Sequence, residues 1–128
     1  MTTGTKNTFS PPPGNWLGSE PEWYIFKALT VLHIDFTYQS SRMGGRLERG
    51  GVVLDFLIPG LGIGINVQGT YWHYGDVEKT ASDDLQRIAL EGQGILIVYI
   101  DEEDANRNPI WYTQEALAGK DYSRVGRR

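Results

Sequence analysis

Six consecutive apolar residues, Ile95-Leu96-Ile97-Val98-Tyr99-Ile100, constrain the fold more than any other stretch of this chain. A strand with one wet face alternates apolar and polar side chains, whereas a run with no polar position predicts a strand covered on both faces. The run is far shorter than the ~20 residues of a membrane span. It calls for a domain with packing layers on both sides of a sheet, and 128 residues is the length of one such domain. Four Trp, seven Tyr and four Phe supply the bulk for its core.

The rest of the pattern fits an α/β order. Ser19 and Glu22 form a capping box, and Ile25, Ala28, Leu29 and Leu32 follow at helical spacing, which predicts a helix over about 20 to 32. Residues 34 to 39 alternate as a strand. A turn rich in Gly and Arg follows, then two β-branched runs, Val52 to Ile58 and Ile63 to Val67, joined by Pro59-Gly60 as a hairpin. Ala81, Leu85, Ile88 and Ala89 mark a second amphipathic helix, stopped near Gly92 or Gly94 ahead of the apolar strand. Asn108-Pro109 opens a last short helix that runs to about Leu117. The resulting order, α-β-β-β-α-β-α, is that of an α/β domain with a central mixed sheet flanked by helices.

Residues 1–18, with Pro11-Pro12-Pro13, read as an extended arm, 19–119 as the domain, and 120–128 as a polar tail. Such ends are mobile unless held, and a protein partner or a second copy of the chain is the simplest holder. With no cysteine there is no disulfide framework, zinc–thiolate site or thiol nucleophile. No basic-then-apolar leader opens the chain, so the expectation is neither a membrane protein nor a secreted one. Twelve basic against sixteen acidic residues give a net charge of −4, which argues against a non-specific nucleic-acid binder with a pervasive basic surface.

The polar residues of the hairpin carry the functional signal. Alternation places Val53, Asp55 and Leu57 on one face of their strand, and Gly64, Asn66 and Gln68 on one face of the next. Burying Asp55, Asn66 and Gln68 without partners costs roughly 1–3 kcal/mol each. Either they pair across the hairpin or face solvent, or they form a polar site on a rigid sheet with Glu22 added from the first helix.

The ordered series Glu22-xxx-Phe26, Phe36-Thr-Tyr-Gln39, Leu54-Asp55-Phe56-Leu57-Ile58-Pro59 and Ile65-Asn66-Val67-Gln68-Gly69-x-x-Trp72-His73 resembles the PD-(D/E)XK nuclease superfamily. It is most similar there to the branch of very-short-patch-repair-like endonucleases. Asp84-x-x-Arg87-x-x-Leu90-x-x-x-Gly94 and the strand ending in Asp101-Glu102 resemble the second half of that branch, so the likeness spans roughly residues 19 to 104. The resemblance implies a restriction-endonuclease-like core and metal-dependent hydrolysis of DNA. Glu22 and Asp55 match the helix and strand carboxylates that hold Mg²⁺, Asn66 takes the place of the third ligand, and Gln68 falls where many members have Lys. His73 matches a histidine used near the scissile phosphate, and Gln39 a polar position at the end of the preceding strand. The implied partner is DNA, and the implied setting is the cytoplasm of a bacterial or phage-infected cell.

Asn66 departs from the family, which has Glu or Asp there. An amide oxygen brings no charge, and Mg²⁺ depends on carboxylates. Three readings stand: an inactivated relative kept for binding or assembly, for example in a virion; a site completed by a migrated carboxylate such as Glu78 or Glu91; or a deliberate substitution. Arg42, Arg46 and Arg49 in the Gly-rich turn are candidate DNA contacts, as are Arg124, Arg127 and Arg128 in the tail, against the alternative of ordinary solvated segments. These clusters confine any basic surface to part of the molecule, so the acidic total does not exclude DNA. Asp101 to Asp104 reads as a solvated acidic loop, Asp84 and Arg87 as a pair on one helix, and His33 as a charge partner at a helix end. Tyr71, Trp72 and Tyr74 around His73 read as core and rim aromatics.

Overall fold

The computed structural model describes residues 6–38, 47–49, 52–69 and 91–124. Helix α1 (Glu20–Val31) begins as the capping box predicts: Glu22 N–H donates to Ser19 Oγ at 3.3 Å and Ser19 N–H to Glu22 Oε1 at 3.4 Å. Ile25, Ala28 and Leu29 form its buried stripe. The helix stops at His33, whose φ of 59° is left-handed. His33 N–H bonds Thr30 O and Ile34 N–H bonds Leu29 O, both at 3.1 Å, the two bonds of a Schellman cap. His33 is thus a terminator in a conformation that glycine adopts without strain. His33→Gly is expected to stabilise the fold by roughly 0.5–1 kcal/mol, read as a higher urea midpoint; a lower midpoint would show that the imidazole contributes more than the strain costs.

After α1 come β1 (Thr37–Tyr38), β2 (Leu47–Arg49), β3 (Val52–Leu54), β4 (Phe56–Ile58), β5 (Ile63–Gln68) and β6 (Leu96–Asp101), then α2 (Glu102–Arg107) and α3 (Pro109–Leu117). The sheet runs β1-β4-β5-β6, with β1/β4 and β4/β5 antiparallel and β5/β6 parallel. It is therefore the mixed sheet of an α/β domain. The helix expected over 81 to 89 lies outside the described residues. On one face Phe56, Ile58, Ile63, Ile65, Val98 and Ile100 pack with Ile25 and Leu29 of α1, Ala105 of α2 and Ala116 of α3. On the other, Leu54, Leu57, Ile95, Ile97 and Tyr99 form a second cluster. The apolar run thus divides its side chains between two cores, the physical reason it has no polar position. Gly64 belongs to this packing: a Cβ there would sit 2.8 Å from Leu54 Cδ2.

Several expectations are corrected. Val52 to Ile58 is not one strand. It breaks at Asp55, so that β3 pairs with β2 while β4 pairs with β5. The Gly- and Arg-rich stretch is accordingly not all turn, since Arg49 closes β2 opposite Val52. The acidic run is no loop either. Asp101 is the last residue of β6 and 4% exposed, and Glu102, Glu103 and Asp104 form the first turn of α2, where carboxylates complement the helix dipole.

The described parts of the arm and tail, residues 6–18 and 120–124, lie against the domain. Asn7 N–H and Nδ2 donate to Arg107 O and Asn106 O at 2.9 and 2.8 Å, capping the open carbonyls of α2, and Trp23 Nε1 donates to Ser10 O at 3.0 Å. The tail lies along β6: Asp121 Oδ2 accepts from Tyr99 N–H at 2.8 Å, and Arg124 N–H donates to Asp101 Oδ2 at 3.3 Å. The Asp121 carboxylate thereby engages a main-chain N–H on the outer side of β6, the last described strand of the sheet. The described parts of the arm and tail are thus held by contacts within the chain. Among the described residues no helix is long and apolar enough to cross a membrane.

Candidate active site

The break at Asp55 builds the site. Where the β4/β5 ladder ends at Phe56 and Ile65, side chains take over from backbone. Asp55 N–H donates to Asn66 Oδ1 at 2.7 Å, and Val67 N–H donates to Asp55 Oδ2 at 2.9 Å. Asp55 and Asn66 are thus each tied to the other's strand, which locks the bend and fixes the carboxyl.

Glu22 arrives from the first turn of α1. It is 7% exposed, and its Oε1 accepts from Tyr38 Oη at 2.6 Å as well as from Ser19 N–H. Its negative charge acts on Asp55. Burial first, and the Glu22 charge second, raise the Asp55 pKa from 3.8 to about 7, against the Val67 N–H, which lowers it. Two acids from distant parts of the chain therefore share one electrostatic environment, and Asp55 resists ionising beside Glu22.

Gln68 ends β5 opposite Asp101, is 7% exposed, and its Nε2 has no hydrogen-bond acceptor among the described residues. A buried donor left this way needs an oxygen from elsewhere. Glu91 is exposed just ahead of β6, at the opposite end of that strand from the Gln68–Asp101 rung. Among the described residues no three His, Cys, Asp or Glu side chains converge as a metal site, so Glu91 does not complete the set. The donor set is two carboxylates plus an amide oxygen, all hard oxygen ligands that suit a cation such as Mg²⁺, but with less charge than three acids would bring.

The structure brings Glu22, Asp55 and Asn66 into one site and puts Gln68 two residues beyond Asn66 on the same strand. Gln39, Arg42, Arg46, His73, Glu78, Asp84, Arg87, Arg127 and Arg128, with Tyr71, Trp72 and Tyr74, lie outside the described residues. So does the Arg49 side chain, although its backbone belongs to β2. Arg124 is turned to the protein, pairing with Glu103 at 2.7 Å. Sequence reasoning missed Tyr38 as the donor to Glu22. The available signal was its place in the strand that follows the helix bearing Glu22.

Glu22 on the capped helix and Asp55 at the strand break thus form an acid pair beside a mixed α/β sheet. In three dimensions the chain is similar to the catalytic domain of the homing endonuclease I-Bth0305I, with a TM-score of 0.58 and 18% identity, covering 77% of this chain and 91% of that domain. The protein has a nuclease-like fold. No protein-family model and no curated protein matches the sequence.

Proposed function

We propose that the protein is a metal-dependent DNA endonuclease of the very-short-patch-repair-like branch of the PD-(D/E)XK superfamily. One observation carries the reading: burial first, and the charge of Glu22 second, make Asp55 resist ionisation up to about pH 7, so the two acids act on each other. A divalent cation held by this pair would offset that repulsion. Glu22 and Asp55 would hold Mg²⁺, which when bound activates water and offsets charge on the scissile phosphate. Asn66 keeps Asp55 in place by accepting its N–H, and Gln68 Nε2 is the donor for a water or phosphate oxygen. Gln68 orients such a group but takes no proton from it. The likeness to a homing endonuclease catalytic domain supports DNA as the substrate.

A second reading, a nuclease fold retained for DNA binding or assembly without catalysis, is favoured by Asn66. Its oxygen is engaged by Asp55 N–H and adds no charge. Purified protein incubated with supercoiled, mismatched and branched DNA separates the two. The endonuclease reading expects nicked or linear product with Mg²⁺ or Mn²⁺, lost on adding a chelator and restored by excess metal. Intact DNA under all these conditions would leave the non-catalytic reading.

A further inference from the structure

Glu22 does not stand alone at the end of α1. Among the described residues its two hydrogen-bond donors, Tyr38 Oη at 2.6 Å and Ser19 N–H at 3.4 Å, both go to Oε1, which leaves Oε2 as the oxygen open to a further partner. Tyr38 is in turn fixed from two sides. Its ring stacks on Phe56 of β4, with centroids 4.8 Å apart, and on Trp16 of the arm at 5.1 Å with planes 13° apart. Trp16 is anchored by its own Nε1–H to Ser19 O at 2.9 Å and packs edge-on against Trp23 and Phe26 of α1. Gly18 lets these groups meet. A Cβ there would collide with Tyr38 Oη and stand 2.8 Å from Glu22 Oε1.

We infer that Tyr38, clamped by Trp16 of the N-terminal arm, is a positioning residue for Glu22: it engages Oε1 and thereby presents Oε2 to the ligand of the acid pair. The inference rests on the metal-binding reading above, although its geometric half stands in the metal-free protein. A phenol hydrogen bond to a carboxylate is short and charge-assisted. Stacking between two aromatic rings and its place in β1 limit the motion of the phenol, so the carboxylate rotamer of Glu22 is selected before any cation arrives. The arm residues 16 to 18 are then part of the site, a role that their composition as a linker does not suggest.

The test uses the full chain with Tyr38→Phe, Trp16→Ala and Trp16→Phe. Three measurements are made on each: the Glu22 side-chain ¹³C carboxyl resonance without metal, Mn²⁺ affinity by calorimetry, and the thermal midpoint. Tyr38→Phe should move the Glu22 resonance and weaken Mn²⁺ binding by on the order of 10-fold, the effect typical of losing a group that orients a metal ligand. Trp16→Ala should shift both in the same direction, and Trp16→Phe, which keeps a ring in the stack, should restore them towards wild type. A merely structural Tyr38 would lower the midpoint while leaving the Glu22 resonance and Mn²⁺ affinity of the folded protein unchanged, and that result overturns the inference. An unchanged Glu22 resonance in Trp16→Ala overturns the clamp. If the wild type binds no Mn²⁺, the metal reading fails by itself, and the metal-free resonances still decide whether Tyr38 positions Glu22.

Discussion

Asp55→Asn is expected to make the protein more stable at pH 8 while removing DNA cleavage. An acid whose folded pKa lies above its unfolded value binds its proton more tightly when folded. Its contribution to stability is therefore greatest below the unfolded pKa and is lost as pH rises through the folded one. For Asp55 that window runs from 3.8 to about 7. Above it the folded state carries a half-buried charge beside Glu22. The linkage is worth roughly 2–4 kcal/mol, the lower figure allowing for solvent screening around a half-buried residue. Asparagine keeps an oxygen for Val67 N–H and never ionises. The variant should melt roughly 5–15 °C above wild type at pH 8 and close to it at pH 4. Cleavage should fall by roughly 100- to 1,000-fold through loss of a metal carboxylate. Equal melting points at pH 8 would show that Asp55 carries no such penalty. Retained cleavage would remove it from the chemistry.

Asn66→Asp is expected to act in the opposite direction. The aspartate retains an oxygen for Asp55 N–H, the bond that Asn66 Oδ1 accepts at 2.7 Å, and adds a third negative charge beside Glu22 and Asp55. Without metal at pH 8 the repulsion should lower stability by about 1–2 kcal/mol, and the loss should shrink by pH 4 as the acids protonate. With metal the same charge is an asset. Mn²⁺ affinity should rise at least ~10-fold, and melting should become metal-dependent because a ligand that binds only the folded state stabilises it by mass action. Faster cleavage than wild type would show a sound site short of one charge. Unchanged Mn²⁺ affinity would show that position 66 does not face the cation, leaving Asn66 as the brace of Asp55.

Much of the scaffold was legible in the amino-acid order because its causes are local. The reciprocal bonds of Ser19 and Glu22 fix the start of α1, and Asn108-Pro109 fixes the start of α3. The run from Ile95 to Ile100 has no polar residue because its side chains serve two cores. The candidate acids were also legible, as charges and amides in otherwise apolar strands. The break at Asp55 was not, because the apolar run continues on both sides of it. What ends the strand is a bond from Val67 N–H, twelve residues away, to the Asp55 carboxyl.

The chain's own order therefore determined the elements, the two-sided sheet and the residue types available for chemistry. Only the tertiary structure decided how they meet. It buried Asp55 within reach of the Glu22 charge, which together raise its pKa, and set Tyr38 of β1 against an oxygen of Glu22. It laid a proline-rich arm over α1 with Trp16 stacked on that tyrosine, and turned an acidic run into the first turn of a helix. Each depends on long-range contact, on burial that changes the cost of charge, or on aromatic packing between segments whose separation in sequence carries no trace of their meeting.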